Sequence, residues 1–161
     1  SNNIYIEAML KMIGLKERGL GSGQNGIAVI NKNLRKSGIN PKDLMLRDGS
    51  GLSARNNISA LSMANFLSYM CNTLSLTEVK KYIPRGGYSG TVRGMFAKSQ
   101  AKGQVWLKSG SMEGVQSYSG IMQAKSGNWV SFSVIVNGYT KKGSIIRAKL
   151  DKLIRDIYAA C

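Results

Sequence analysis

Three segments decide how this chain folds: QVWLKSGS (104–111), YSGIMQA (118–124) and WVSFSVIVN (129–137). In the last of them Val130, Phe132, Val134 and Val136 alternate with Ser131, Ser133 and Ile135, the period of a strand with one richly buried face. Ser126-Gly127-Asn128 reads as the hairpin turn between the second and third segments. The three together predict an antiparallel meander. Lys142 to Ala159 follows as an amphipathic helix, with Ile146, Leu150, Leu153 and Ile157 on its apolar stripe.

Upstream of the meander the pattern is helical. Ile4 to about Leu15 is predicted helix, with Ile4, Ala8, Leu10, Met12, Ile13 and Leu15 forming a broad buried face. Gly19 to Gly23 breaks it, and Gly26 to Ser37 forms a second helix stopped by Gly38. Leu44-Met45-Leu46 is a short apolar segment. Ser59 is a predicted N-cap for a helix to about Asn72, with Leu61, Ala64, Leu67, Met70 and Cys71 inward. Thr77 caps a shorter predicted helix before Pro84, and another covers Val92 to Ala97. Helices, then a meander, then a helix is an α+β layout.

Composition narrows the chemistry. The 161 residues carry 23 Lys+Arg, 8 Asp+Glu and no His, a net charge of +15. Without His there is no Ser-His-Asp or Cys-His triad and no H-E-x-x-H zinc site. Two cysteines, Cys71 and Cys161, are too few for a four-cysteine zinc site or a disulfide framework. No metal or cofactor is expected. Ser, Lys, Tyr, Asn and backbone N–H groups remain as catalytic tools. No apolar run approaches the ~20 residues of a membrane span, so no transmembrane segment is expected. The charge suits an anionic partner such as nucleic acid or cell-wall polymer. The cations are scattered and aromatics are only 7%, which argues against a specific nucleic-acid module.

Four motifs stand out. Ser1-Asn2-Asn3 opens the first helix. Asp48-Gly49-Ser50-Gly51-Leu52-Ser53-Ala54-Arg55-Asn56 is a glycine-rich loop. Gly90-Thr91-Val92-Arg93-Gly94-Met95-Phe96 precedes the meander, and Lys108-Ser109-Gly110-Ser111 ends its first strand. A cation, hydroxyls and an unobstructed strand edge can hold a peptide carboxylate. An exposed Lys before a Gly-Ser turn would read the same way. In this order, the motifs resemble the penicillin-recognising D-Ala-D-Ala carboxypeptidases, more narrowly the peptidase S13 group of penicillin-binding proteins.

Those enzymes work with S-x-x-K, S-x-N and K-T-G motifs. The resemblance implies a fold of the β-lactamase/transpeptidase-like type, of which residues 1–161 would be the C-terminal part. It implies that Ser1 relays a proton to the leaving group and that Asn3 orients the substrate amide. Lys108 would supply charge near the substrate carboxylate. Ser109 and Ser111 would hydrogen-bond that carboxylate or neighbouring backbone, Gly110 would keep the edge open, and the Ser111 N–H would be half of an oxyanion hole. Ser109 stands where the motif usually has Thr.

The nucleophile is the departure. Ser99-Gln100-Ala101-Lys102 fits S-x-x-K literally but falls after the second motif, out of order for the family. The family's nucleophile would lie upstream of Ser1. The chain opens inside a predicted helix without an initiator Met, and the expectation is a fragment that is inactive alone. The resemblance further implies peptidoglycan stem peptides as substrates and β-lactams as covalent inhibitors of the intact protein. It also implies an N-terminal part of the same protein as partner, and an extracytoplasmic location in the periplasm or cell envelope. The rival reading is a non-catalytic basic module that binds anionic polymer.

Overall fold

The computed structural model describes residues 2–37 and 39–161. The predicted helix stop at Gly38 lies outside them. The chain forms two compact units, residues 1–62 and 63–161. Among the described residues, no helix is long and apolar enough to cross a membrane.

The first unit is a helical hairpin followed by a loop held between two short strands. Helix α1 (Asn3–Arg18) is capped by Asn2, whose side chain accepts from the N–H of Ile4 and Tyr5. It ends at Gly19, which takes φ +75°, the left-handed geometry that glycine adopts without strain. Helix α2 (Gly23–Lys36) is capped by Ser22. The helices approach through glycine: a Cβ on Gly26 would lie 2.1 Å from the Leu10 carbonyl oxygen. Strand β1 (Leu44–Met45) pairs antiparallel with β2 (Asn57–Ile58), a second strand too short to show as a pattern in the sequence.

The expected broad buried face of α1 is corrected. Only Leu10 and Gly14 are buried, while Ile4, Met12 and Leu15 are 78%, 67% and 56% exposed. A helix can cover apolar residues only where a neighbour faces them, and within this unit α2 meets one narrow stripe.

The second unit carries the predicted meander. Strands β3 (Val105–Met112), β4 (Val115–Gln123) and β5 (Trp129–Asn137) form one antiparallel sheet in the order β3-β4-β5. The register sets Lys108 opposite Ser119, Gly110 opposite Ser117 and Ser111 opposite Gln116. β4 begins three residues before the predicted Tyr118, because Glu113-Gly114 makes a tight reversal, with Gly114 at φ +68°.

Both faces of the sheet are covered. On one, Val105, Leu107, Tyr118, Met122 and Phe132 pack with Leu150 and Ile154 of helix α5 (Gly143–Ala160), and with Val92 and Phe96. On the other, Ile121 packs with Leu67 of α3 (Ala60–Thr73) and Val79 of α4 (Leu76–Tyr82). Lys80 lies over both Trp106 and Trp129, 4.4 and 4.2 Å from the ring centres.

Four local expectations change. Ser75, not Thr77, caps α4, accepting from the Glu78 N–H. Leu61 is 70% exposed, because α3 turns Leu67 inward instead. In α5 the buried stripe runs through Leu150 and Ile154, leaving Leu153 largely outside, since four residues bring a helix back to one face. The predicted helix at 92–97 is a 3-10 turn over Gly90–Val92 followed by irregular turns. Phe96 there takes φ +61°, unusual for a bulky residue. Its ring is buried in the core, and its N–H donates to Asp151 Oδ1 at 3.0 Å.

Candidate functional site

The K-S-G-S segment lies at the outer edge of the sheet, and backbone parity shows which way its groups point. The Gly86 N–H donates to the Val105 carbonyl at 2.8 Å, and the Leu107 N–H donates to the Pro84 carbonyl at 2.9 Å. Both bonds leave β3 on the side away from β4. In an antiparallel ladder, alternate residues direct N–H and C=O to the same side. The ladder runs without a bulge from Val105 to Met112. Ser109 and Ser111 therefore continue the outward set, and Lys108 and Gly110 pair with β4. Beyond Leu107, among the described residues, no strand pairs with this edge.

The side chains around that edge are ordered by short contacts. Lys108 is exposed, and its Nζ donates to the Ser109 carbonyl at 2.6 Å. The Ser109 and Thr91 hydroxyls lie 2.6 Å apart, which ties the G-T-V-R turn to the strand. A Cβ on Gly110 would fall 2.5 Å from Ser117 Oγ, so any side chain there would have to displace that hydroxyl. Gln116 is 1% exposed and its Nε2 donates to the Gly110 carbonyl at 2.9 Å. Tyr118, opposite Ser109, is buried, and desolvation pushes its hydroxyl pKa up.

The S-x-N and D-G-S-G-L-S motifs belong to the first unit. Ser1 lies outside the described residues. Asn3 is exposed at the first turn of α1, in the first unit. One turn further on, Glu7 Oε1 accepts from the N–H groups of Gly49 and Ser50, at 3.0 and 2.8 Å. Asp48 accepts from the N–H of Gly51 and Ser53 and from Asn56 Nδ2, at 2.7, 2.6 and 2.8 Å. The D-G-S-G-L-S loop is thus folded around one carboxylate and fastened to α1 by another. Hydrogen bonds from Ser50, hydroxyl and backbone, hold the Glu7 carboxyl below its usual range. At Asp48 burial works upward, but the bonds from Asn56, Ser53 and Gly51 outweigh it and lower the pKa.

The literal S-x-x-K at Ser99 does not form a nucleophile–base pair. Ser99 Oγ donates to the Phe96 carbonyl at 3.1 Å, and Lys102 Nζ lies 5.3 Å from the centre of the Tyr88 ring. The structure thus gathers Lys108, Ser109, Gly110 and Ser111 on one strand edge of the second unit, and Asn3 belongs to the first. Glu7 and Gln116 were not singled out in the sequence. Gln116 shares the buried parity of Tyr118 and Met122 only once β4 is extended back to Val115, ahead of the strand start that the sequence predicts.

Helices followed by an antiparallel sheet and a C-terminal helix is an arrangement this chain shares with penicillin-binding proteins of known structure. The structure of penicillin binding protein 4 (dacB) from Haemophilus influenzae, complexed with a β-lactam, superposes with a TM-score of 0.85 at 26% identity, over 98% of this chain and 38% of that one. A predatory peptidoglycan endopeptidase from Bdellovibrio bacteriovorus shares the fold, with a TM-score of 0.74 at 16% identity over 98% of this chain and 40% of that one. The model of the D-Ala-D-Ala carboxypeptidase 3 (S13) family matches residues 1–157, and the chain belongs to that family. A D-alanyl-D-alanine carboxypeptidase of Actinomadura sp. is 30% identical over 145 residues, covering 87% of this chain and 27% of the relative. The carboxypeptidase DacB of H. influenzae is 30% identical over 142 residues, covering 85% of this chain and 30% of that protein. The chain therefore spans about a third or less of the length of these two relatives.

Proposed function

We propose that this chain is the C-terminal part of a penicillin-binding domain that cleaves D-Ala-D-Ala stem peptides of peptidoglycan outside the cytoplasm. The observation that carries the reading is the free edge of β3 at Ser109–Ser111, beside Lys108, in a chain of the S13 family. An extended peptide can add to such an edge through main-chain hydrogen bonds.

In this reading the nucleophilic serine and its lysine base come from an upstream S-x-x-K segment. The lysine takes the serine proton. The serine oxygen then attacks the carbonyl carbon of the penultimate D-Ala. The oxyanion that forms is held by the Ser111 N–H together with an N–H from the upstream part. The C–N bond breaks as Ser1 passes a proton to the leaving D-Ala amine. Water then hydrolyses the serine ester. Asn3 holds the substrate amide, and Lys108, with the Ser109 and Ser111 hydroxyls, receives the terminal carboxylate. Lys108 now caps the Ser109 carbonyl, and substrate would replace that contact.

The upstream part would also cover the apolar residues that α1 leaves exposed. The 161-residue chain alone is inactive in this reading. The test is to label the full-length protein with penicillin and map the modified peptide. The proposal expects an ester on a serine upstream of Ser1. Acylation of Ser99 would overturn it.

A further inference from the structure

Gln116 is the side chain near this strand edge that packing does not explain. It lies on the face of β4 that carries Tyr118 and Met122 into the core beneath α5. It is 1% exposed, and its Oε1 is buried with no hydrogen-bond partner among the described residues. An unpartnered buried amide oxygen is costly, and a Met of similar length would fill the same space without that cost. Its other end is engaged: Nε2 donates to the Gly110 carbonyl at 2.9 Å. That contact fixes the orientation of the carboxamide, because the flipped form would set two oxygens against each other.

The Gly110 carbonyl and the Ser111 N–H belong to one planar peptide unit and point in opposite directions. By the parity of the ladder, the carbonyl faces β4 and the N–H faces the free edge. In the ladder the carbonyl meets the Ser117 N–H, and Gln116 adds a second donor. Two donors on one carbonyl fix the tilt of the peptide plane and polarise it, which makes its N–H a stronger donor. On the opposite face of the strand, a Cβ on Gly110 would fall 2.5 Å from Ser117 Oγ, so a side chain there would have to displace that hydroxyl.

We propose that Gln116 is a positioning residue, which sets the Gly110–Ser111 peptide so that the Ser111 N–H is aimed and strengthened as an oxyanion donor. This rests on the reading of the edge as a penicillin-binding site. Gln116 touches no substrate in this account and acts only through the peptide.

The test has one readout that does not depend on activity and two that do. In the 161-residue chain, Gln116→Met is expected to move the Ser111 amide proton upfield in the NMR spectrum, while amides on the outer half of β5 stay in place. An unmoved Ser111 amide would overturn the proposal. In the full-length protein, the same substitution is expected to slow acylation by benzylpenicillin about tenfold, a partial loss of one oxyanion donor, with the affinity of the non-covalent complex unchanged. Gln116→Glu adds a pH signature. Its protonated carboxyl can donate to the Gly110 carbonyl and its carboxylate cannot, so acylation should fall as pH rises through the pKa of that Glu. Gln116→Met should show no such added dependence. Parental acylation rates in both variants would sink the proposal. Should the unsubstituted full-length protein not be acylated at all, the site reading fails, and the Ser111 amide shift still decides whether Gln116 sets the peptide.

Discussion

In the second unit, Ile121 and Met122 are neighbours on β4 and both are buried, one beneath α3 and α4 and the other beneath α5. In the first unit, Ile4, Met12 and Leu15 on α1 are more than half exposed. The residues are similarly apolar. The difference is the number of layers the chain supplies around them. A central strand with helices on both faces can bury residues of both parities, as it does at Ile121 and Met122. A helix with one neighbour buries a stripe, and here the hairpin closes through Gly14 and Gly26, which add little apolar contact of their own. The first unit relies instead on polar fastening, with Glu7 and Asp48 gathering the N–H groups of the 48–56 loop.

The largest expected effect lies at the strand edge. Lys108→Ala in the full-length protein should lower acylation by penicillin about 100-fold or more, since the charge that receives the substrate carboxylate is lost. The exposed side chain leaves the melting temperature in place. The rival reading, a basic polymer-binding surface, predicts that this substitution matters little and that binding falls steeply with salt.

The next contrast separates the two units by stability. Ile154→Ala removes a side chain buried under the sheet and should cost about 2–5 kcal/mol in chemical denaturation. Leu15→Ala on the exposed side of α1 should change stability by less than about 0.5 kcal/mol. Equal losses at the two positions would break the comparison. Gly26→Ala should be costly despite its small size, about 1–3 kcal/mol, because the new methyl would meet the Leu10 carbonyl.

The carboxylate fastening makes a pH prediction. Glu7 and Asp48 have folded-state pKa values below their unfolded values. Their contribution is complete above the unfolded carboxylate range, about pH 4–4.5, and is lost as pH falls through the lowered folded values. Hydrogen exchange at the Gly49, Ser50, Gly51 and Ser53 amides should accelerate in that acid window before the β4 amides respond. Simultaneous loss across both units would count against separate fastening. The smallest effect is the cap: Asn2→Ala should cost about 1 kcal/mol, read as fraying of the α1 amides.

Period-two alternation was enough to place Val130, Phe132, Val134 and Val136 on one face, and the structure packs all four into or against the core under α5. The position of Lys108-Ser109-Gly110-Ser111 at a strand end was legible for the same reason. What escaped were features set by contacts distant in sequence. The Glu7 clamp joins positions 42 residues apart. Phe96 adopts a left-handed φ because Asp151 and the core hold it there, against local preference. The beginning of β4 was missed because Val115-Gln116-Ser117 reads as polar loop until the Glu113-Gly114 reversal brings it against β3. The exposure of α1 was missed because an apolar stripe shows what a helix is able to bury and says nothing of whether a partner is present.

The most direct measurement is acylation of the full-length protein by a fluorescent penicillin, with peptide mapping, in the parent and in Lys108→Ala. The account predicts one labelled serine, in an S-x-x-K segment upstream of Ser1, and loss of label in the variant. No label in the parent, label at Ser99, or full labelling of Lys108→Ala would contradict it.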